Sequence, residues 1–261
     1  MKAVTSPKVL IHLPAADLRP FIRRILLVEF PSALHDSHLP DVGPVAGFRF
    51  SGDCVLDQRN KAPWATLTGL YDTLRTHYHG RGSAAVLAIF TATGARAFFQ
   101  YPLIEFASTT LDMEAVLDRP SELKHVREQL MEAKNHNQRI RLVEEFSRAR
   151  MRGRQPDVLV SAAVSLIEEK RAMVRIEELV RRVGLSQSAL ERRFQQVVGL
   201  PPKKFSAIVR LQNVIRLRSV RNDLTSIAYE AGYCDQPHFI KDFKRFAGVA
   251  PELFFQRMAI N

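Results

Sequence analysis

A repeat in the last third of the chain constrains the fold more than any other feature of this sequence. One segment runs Leu179-Val-Arg-Arg-Val183-Gly184-Leu-Ser186 and continues through Leu190, Phe194, Gly199, Pro202 and Phe205. A second runs Ile227-Ala-Tyr-Glu-Ala231-Gly232-Tyr-Cys-Asp235 and continues through Phe239, Phe243, Gly248, Pro251 and Phe254. The offset is 48 up to the glycine and 49 from Ser186 and Asp235 onward. One extra residue has entered the second turn, and every later landmark stays in register. Self-similarity of this kind means one supersecondary unit used twice.

Each landmark has a physical reason. Ile176, Leu179, Val180 and Val183 fall at helical spacing and form one apolar stripe. Gly184 then ends the helix, because the left-handed residue after a helix is easiest for glycine. Ser186 follows as an N-cap whose hydroxyl accepts an orphan backbone N–H. Leu190, Phe194 and Val197 make the inner stripe of the next helix. A helix, a short turn containing glycine and a second helix form a helix-turn-helix unit, here at about 174–198. The second copy, at about 224–247, packs Ile227, Ala228 and Ala231, ends at Gly232 and is capped by Asp235. Pro237 lies in the first turn of its second helix, where a missing N–H costs nothing. Phe239, Phe243 and Phe246 face inward, and Pro251 opens a last helix ending near Arg257.

Two further helices complete the region. Leu159, Ala162, Ala163, Leu166 and Ile167 follow helical spacing behind Asp157 as a cap. Residues 202–219 read as one long helix with Phe205, Ile208, Leu211, Ile215 and, near its end, Val220 as apolar positions. Its other face carries Lys203, Lys204, Arg210, Arg216 and Arg218.

The 261 residues suit two domains of ordinary size, and the composition is globular. The formal net charge is +11, which points to a polyanionic partner: nucleic acid, an anionic membrane or an acidic protein. Residues 171–221 hold 12 Lys/Arg against 3 Asp/Glu, whereas residues 1–155 hold 21 against 16. The basic footprint therefore coincides with the repeat. Taken alone, a charge run is usually a solvated face; its placement on helix-turn-helix units favours double-stranded DNA.

At this point the residues resemble the DNA-binding domain of the AraC/XylS family. The resemblance is carried by Gly184-Leu-Ser-Gln-Ser-Ala-Leu-Glu-Arg-Arg-Phe194 and by Ile227-Ala-Tyr-Glu-Ala-Gly-Tyr-Cys-Asp-Gln-Pro-His-Phe-Ile-Lys-Asp-Phe-Lys-Arg-Phe-Ala-Gly-Val-Ala-Pro251. Val180 departs from the family's usual alanine, and Pro201 and Ala250 stand where a capping Ser or Thr is usual. The resemblance implies that both second helices enter successive major-groove segments on one face of the duplex, about 34 Å apart. The outward positions of the first are Gln187, Ser188, Glu191 and Arg192; those of the second are Gln236, His238, Ile240 and Lys241. Arg192 suits a guanine edge, Glu191 a cytosine amino group, Gln236 adenine and Ile240 a thymine methyl. His238 reads equally well as a structural side chain against the turn. Arg193, Lys203, Lys204, Lys244 and Arg245 suit phosphates, which position without specifying.

Residues 1–150 read as a β-rich regulatory or dimerisation domain, a barrel or sandwich, followed by a linker at 151–156 and the DNA-binding domain at 157–261. The β-prone runs are Ile22–Phe30, Val45–Phe50, Thr66–Tyr71 and Ala84–Thr91, separated by Gly, Pro and Asp clusters. Pro14–Phe21 looks like a short helical entry and Gly94–Gln100 like a small helix. Helices follow over about 121–150: Ser121 caps the first, Leu123, Val126 and Leu130 share a face, Asn135–Asn137 breaks it, and Ile140, Val143 and Phe146 continue. Arg148-Ala-Arg-Met-Arg-Gly-Arg-Gln-Pro156 reads as a basic, exposed connection. The order of parts is similar to full-length family regulators, whose N-terminal domain is commonly a cupin-like barrel. This implies a small-molecule effector or a homodimer, with the helices at 121–150 as one dimer surface. Packing of their apolar face on the barrel explains it equally well.

His77-Tyr-His79 places two imidazoles on one strand face, and cupin barrels hold metal on such a pair. No glutamate follows, however, and nothing in the sequence brings His35 or His38 close, so surface or core histidines are the expectation. No phosphate-cradling GxxxxGK[ST] and no GxSxG occur. Cys54 and Cys234 lack metal-like spacing and read as reduced thiols. No catalytic residue, cofactor or metal is expected. The N-terminus lacks an uninterrupted apolar core for a secretory signal, and Ala84–Phe90 is too short for a membrane span, so the expected setting is cytoplasmic, without a membrane partner. The resulting expectation is a multidomain α+β regulator of transcription that acts on DNA, an activator that engages RNA polymerase. A ligand-independent regulator, or an enzyme domain fused to the DNA-binding module, stays open.

Overall fold

In the computed structural model, residues 6–57, 60–99, 101–151, 153–220 and 223–260 are described, the side chains of 257–260 excepted. The N-terminal part contains, in chain order, β1 (Lys8–His12), β2 (Ile22–Phe30), β3 (Leu34–His38), β4 (Val45–Ser51), β5 (Cys54–Leu56), β6 (Asn60–Lys61), β7 (Ala65–Thr68), β8 (Arg75–His79), β9 (Ser83–Phe90), α1 (Ala95–Phe98), β10 (Thr110–Asp112), α2 (Met113–Val116), α3 (Pro120–Glu132) and α4 (His136–Met151). The strands form two antiparallel sheets, a large one in the order β1-β2-β9-β4-β7-β10 and a small one in the order β3-β8-β5-β6.

Alternation along the strands decides what covers each face. Ile25 and Leu27 of β2 stand opposite Ala88 and Val86 of β9, and all four are buried. They meet α1, α3 and α4 in a core that includes Phe48, Phe90, Phe98 and Phe146. The rings of Phe48 and Phe98 both lie edge-on to Phe146, at 5.8 and 5.7 Å. The opposite face of the large sheet looks toward the small one, where the Phe30 ring stacks flat on His79 at 3.8 Å.

Several local expectations change. Residues 16–21 form successive turns rather than a helix. The strand expected over Thr66–Tyr71 stops at Thr68, and the next residue, Gly69, passes so close to the backbone of Phe106 that a Cβ would stand 2.0 Å from its carbonyl oxygen. α3 begins at Pro120 with Arg119 at its cap position, so Ser121 lies inside the first turn and does not cap. Asn135 accepts the Gln138 N–H at 2.9 Å as α4 opens. The small helix expected over Gly94–Gln100 is Ala95–Phe98, and Gln100 lies outside the described residues.

The basic stretch after residue 148 is not a free surface connection. α4 continues through Met151, which is buried in the N-terminal core. Arg150 pairs with Asp118 and Glu122, Arg148 with Asp17, and Arg154 donates to the Ala97 carbonyl at 2.8 Å. Partners this far away in sequence could not be seen in the run itself; Arg152 lies outside the described residues.

The C-terminal part consists of α5 (Val158–Glu169), α6 (Ile176–Val183), α7 (Gln187–Val198), α8 (Pro202–Arg218), α9 (Leu224–Glu230), α10 (Gln236–Ala247) and α11 (Pro251–Ile260). Asp157 caps α5 by accepting the Val160 N–H at 3.0 Å. The buried stripe of α5 is Val160, Ala163, Val164 and Ile167, turned by about one residue from the expected one, because α5 packs on α6, α7 and α8 together. α8 is buried on several sides, at Phe205, Ile208, Val209, Leu211, Val214 and Leu217, while Val220 lies past its end and is exposed. Over 17 residues it spans about 25 Å. The C-terminal core also takes in Leu70 and Ala92 from the β-rich part, and α7 packs on α1 and on the 3-10 turn Leu103–Phe106. No helix among the described residues is long and apolar enough to cross a membrane.

Candidate nucleic-acid interface

The first unit is α6 and α7. Gly184 sits at φ +69° and donates its N–H to the Val180 carbonyl at 3.0 Å, closing α6. Ser186 accepts the Ala189 N–H at 3.3 Å and opens α7, so the turn holds three residues. Leu190, Phe194 and Val197 are buried, with the Phe194 ring edge-on to Phe205 at 5.6 Å. That burial fixes the rotation of α7 and leaves Gln187, Ser188 and Arg192 exposed. Glu191 is half-buried and accepts from the Gln187 side-chain amide at 3.1 Å. Arg193 donates its Nε to Asp157 at 2.7 Å. Arg192 and Arg193 also line a cleft of about 820 Å³ against the β-rich part, together with Arg96 and Arg154.

The second unit is α9 and α10. α9 is capped by Asp223, which accepts the N–H groups of Thr225 and Ser226. Its turn to α10 holds five residues; one is the insertion visible in the repeat, and the other arises because α9 stops one residue early. Asp235 accepts the His238 N–H at 2.7 Å, and Pro237 occupies the first turn. Phe239, Phe243 and Phe246 are buried. Gln236, Lys241 and Lys244 are exposed, and Lys203, at the start of α8, is exposed as well. Ile240 is half-buried and packs against the C-terminal core, so its side chain is shared between core and surface.

Two further phosphate candidates are, like Arg193, engaged within the chain. Lys204 Nζ lies 2.9 Å from Asp72 of the β-rich part. Arg245 pairs with Asp242 at 3.2 Å and lies over the Phe246 ring at 4.7 Å. His238 presents its ring to the edge of Tyr233 at 5.2 Å, and its Nε2 lies 3.8 Å from Asp242.

Asp242 was not singled out by sequence reasoning. It is buried and faces three basic groups: Arg245, His238 and, at 3.7 Å from α8, Arg210. Arg210 lies over the Tyr233 ring at 5.5 Å, and burial, reinforced by the Asp242 charge, pushes the Tyr233 phenol up to about 12. This group ties the second reading helix to α8. The i,i+4 spacing to His238 and i,i+3 spacing to Arg245 are readable, but on a basic helix they suggest exposed charge pairs.

One sequence judgement about the histidines needs correction. β3 and β8 pair so that Asp36 stands opposite His77 and His38 opposite Arg75. This brings His38, which nothing in the sequence placed nearby, to His77 and His79. Burial first, and then neighbouring imidazoles, hold both His77 and His79 down at about 4. His35 points to the other face and packs on Tyr78.

Two helix pairs, each with a capped, cation-bearing second helix, joined by one rigid helix, define a tandem helix-turn-helix DNA-binding module. Residues 179–257 match the family model described as "Helix-turn-helix domain". An uncharacterized HTH-type transcriptional regulator of Haemophilus influenzae is 28% identical over 103 residues, which cover 39% of this chain and 35% of that protein. The HTH-type transcriptional regulator MtrA of Neisseria gonorrhoeae is 34% identical over 77 residues, covering 29% of this chain and 26% of that protein. The chain thus spans about a third or less of the length of these curated relatives. A solved structure of ToxT from Vibrio cholerae aligns with 96% of this chain and 98% of that one, at 12% identity and a TM-score of 0.48.

Proposed function

We propose that this chain is a sequence-specific transcription regulator of the cytoplasm, an activator that engages RNA polymerase, and that it reads two successive major-groove segments through α7 and α10. The observation that carries this reading is the pair of reading helices. Each is opened by a capped turn and anchored by a buried apolar stripe, with polar and basic side chains left outward. α8 joins the two units as one unbroken helix, which suits two boxes about one helical turn apart. In this reading Gln187, Ser188, Glu191, Arg192, Gln236, His238, Ile240 and Lys241 face base edges. Arg193, Lys203, Lys204, Lys244 and Arg245 face phosphates. The β-rich part, residues 1–150, is the regulatory half, joined through 151–156 to the DNA-reading half, residues 157–261.

A small-molecule effector belongs to this reading. The cleft between the β-rich part and α7 supports it, because an anion held by Arg96 and Arg154 would also compete for Arg192 and Arg193. Homodimerisation has a surface other than the helices at 121–150, whose apolar side chains Leu123, Val126, Leu130, Ile140, Val143 and Phe146 are spent on the N-terminal core. β1 is an edge strand, and Val9, Leu10, Ile11 and the following Leu13 are exposed, which suits pairing with the same edge of a second copy.

The test is selection of random duplex DNA by the purified full chain, followed by a footprint on the enriched sequence. Two protected boxes about 10 bp apart on one face are expected. Absence of any enriched sequence would overturn the proposal.

A further inference from the structure

We infer that the inner face of the small sheet is a binding site for a divalent first-row transition-metal cation, held by the imidazoles of His38, His77 and His79. It rests on residues of β3 and β8 alone and is independent of the DNA-reading proposal.

Strand geometry supplies the cluster. His77 and His79 alternate onto one face of β8, and His38 lies diagonally across the β3–β8 pairing from His77. One ligand nitrogen from each ring lies within 4.8 Å of the others. In a tetrahedral site with metal–nitrogen bonds of about 2.1 Å the nitrogens stand about 3.4 Å apart. The difference, at most about 1.4 Å between two nitrogens, is of the size that side-chain rotation supplies. The Phe30 ring stacked on His79 fixes the plane of one ligand from the large sheet.

The chemistry of the set selects the ion. Three imidazoles and no thiolate suit Zn²⁺, Co²⁺, Ni²⁺ or Cu²⁺ and offer little to Mg²⁺ or Ca²⁺, which take oxygen ligands. His79 Nε2 is buried without a hydrogen-bond partner among the described residues. A buried nitrogen left unpaired is costly, and an ion is one of the few things that relieves it. Asp36 Oδ2 lies 3.4 Å from His38 Nε2, where a carboxylate orients a ligand imidazole and offsets part of the cation's charge. Three protein ligands leave a fourth position open toward the space between the sheets.

The site also lies at a joint of the molecule. β3 ends at His38, and two residues later the Pro40 carbonyl accepts from the Gln212 side-chain amide of α8, while Leu39 packs against the C-terminal core.

The test uses the untagged full chain, stripped by chelator. Co²⁺ is titrated in while visible absorption is followed, Zn²⁺ is titrated calorimetrically, and imidazole resonances are followed as Co²⁺ is added. One cation per chain is expected, with an intense visible band characteristic of low coordination number and no displacement by excess Mg²⁺. Co²⁺ should shift or broaden the imidazole signals of His38, His77 and His79 in the unaltered chain. His38→Ala and His77→Ala should each weaken binding by about tenfold or more, while His35→Ala, on the opposite face of β3, leaves it unchanged. Circular dichroism confirms that each variant is folded; should one fail to fold, the resonances of the unaltered chain decide. Lack of saturable binding, retention of affinity in folded His38→Ala and His77→Ala chains, or perturbation of other histidines instead would overturn the inference.

Discussion

In the proposed reading, the ion pair between Lys204 and Asp72 couples the β-rich part to DNA affinity, and it can be broken alone. Lys204 Nζ lies 2.9 Å from Asp72, with the lysine side chain 57% exposed and the aspartate 28%. At that distance two unit charges attract by about 1.4 kcal/mol in the dielectric of water. Holding a flexible lysine in one geometry and screening by salt reduce the net value of such a pair to about 0.2–1 kcal/mol. A phosphate that takes Lys204 must first displace Asp72. Asp72→Asn is therefore expected to raise DNA affinity about 1.4- to 5-fold. Lys204→Ala should weaken binding to all sequences alike and flatten the slope of log affinity against log salt by about one. The assay is anisotropy of a labelled duplex over a range of salt concentrations, for the parent, both single variants and the double variant. In the Lys204→Ala background, Asp72→Asn should have no effect. An equal gain in both backgrounds would mean that Asp72 acts as a general negative charge, and the competition argument would be wrong.

Other outcomes follow from the same geometry. Arg192→Ala should cost about 1–3 kcal/mol of binding and relax discrimination at one base pair, read from a panel of single-base variants of the selected site; unchanged discrimination everywhere removes Arg192 from the base-reading set. Asp242→Ala leaves Arg210, His238 and Arg245 facing one another without their common anion. A loss of about 3 kcal/mol of unfolding free energy, read from denaturant titration, is expected, and unchanged stability would show that water already screens the group. Phe194→Ala empties a fully buried site between α7 and α8 and should cost about 3–5 kcal/mol of unfolding free energy. Ile11→Lys on the exposed edge strand should shift a dimer toward monomer in light scattering while leaving the circular dichroism spectrum unchanged.

The tandem units were legible because their signals are local. Gly184, Ser186, Asp157 and Asp235 act on backbone groups within four residues, and the phenylalanines repeat at helical spacing, so cap, turn and buried face agree in one short window. The β-rich half was legible only where strands are apolar: Ile22–Phe30 is read to the residue. β3, with the sequence Leu-His-Asp-Ser-His, becomes a strand through its pairing with β8, and no local pattern announces it. The histidine cluster stayed hidden for the same reason, since it needs the register of two strands nearly forty residues apart. Asp242 and the docking of Arg148, Arg150 and Arg154 also depend on partners supplied by the fold.

The two units are alike in sequence but differently attached. α7 rests on α1 and on the 3-10 turn at Leu103–Phe106, and the Cβ that an alanine would add at Gly199 would stand 3.0 Å from the Leu103 carbonyl oxygen. The principal packing partners of α9, α10 and α11 are all C-terminal helices. Engagement with a promoter can therefore have an order in time. In the proposed reading, the second unit would sample the groove first and set the phase of the molecule on the duplex. The first unit would then commit only in encounters that outlast its contacts with the β-rich part, so a signal received there would act on dwell time rather than on the rate of arrival.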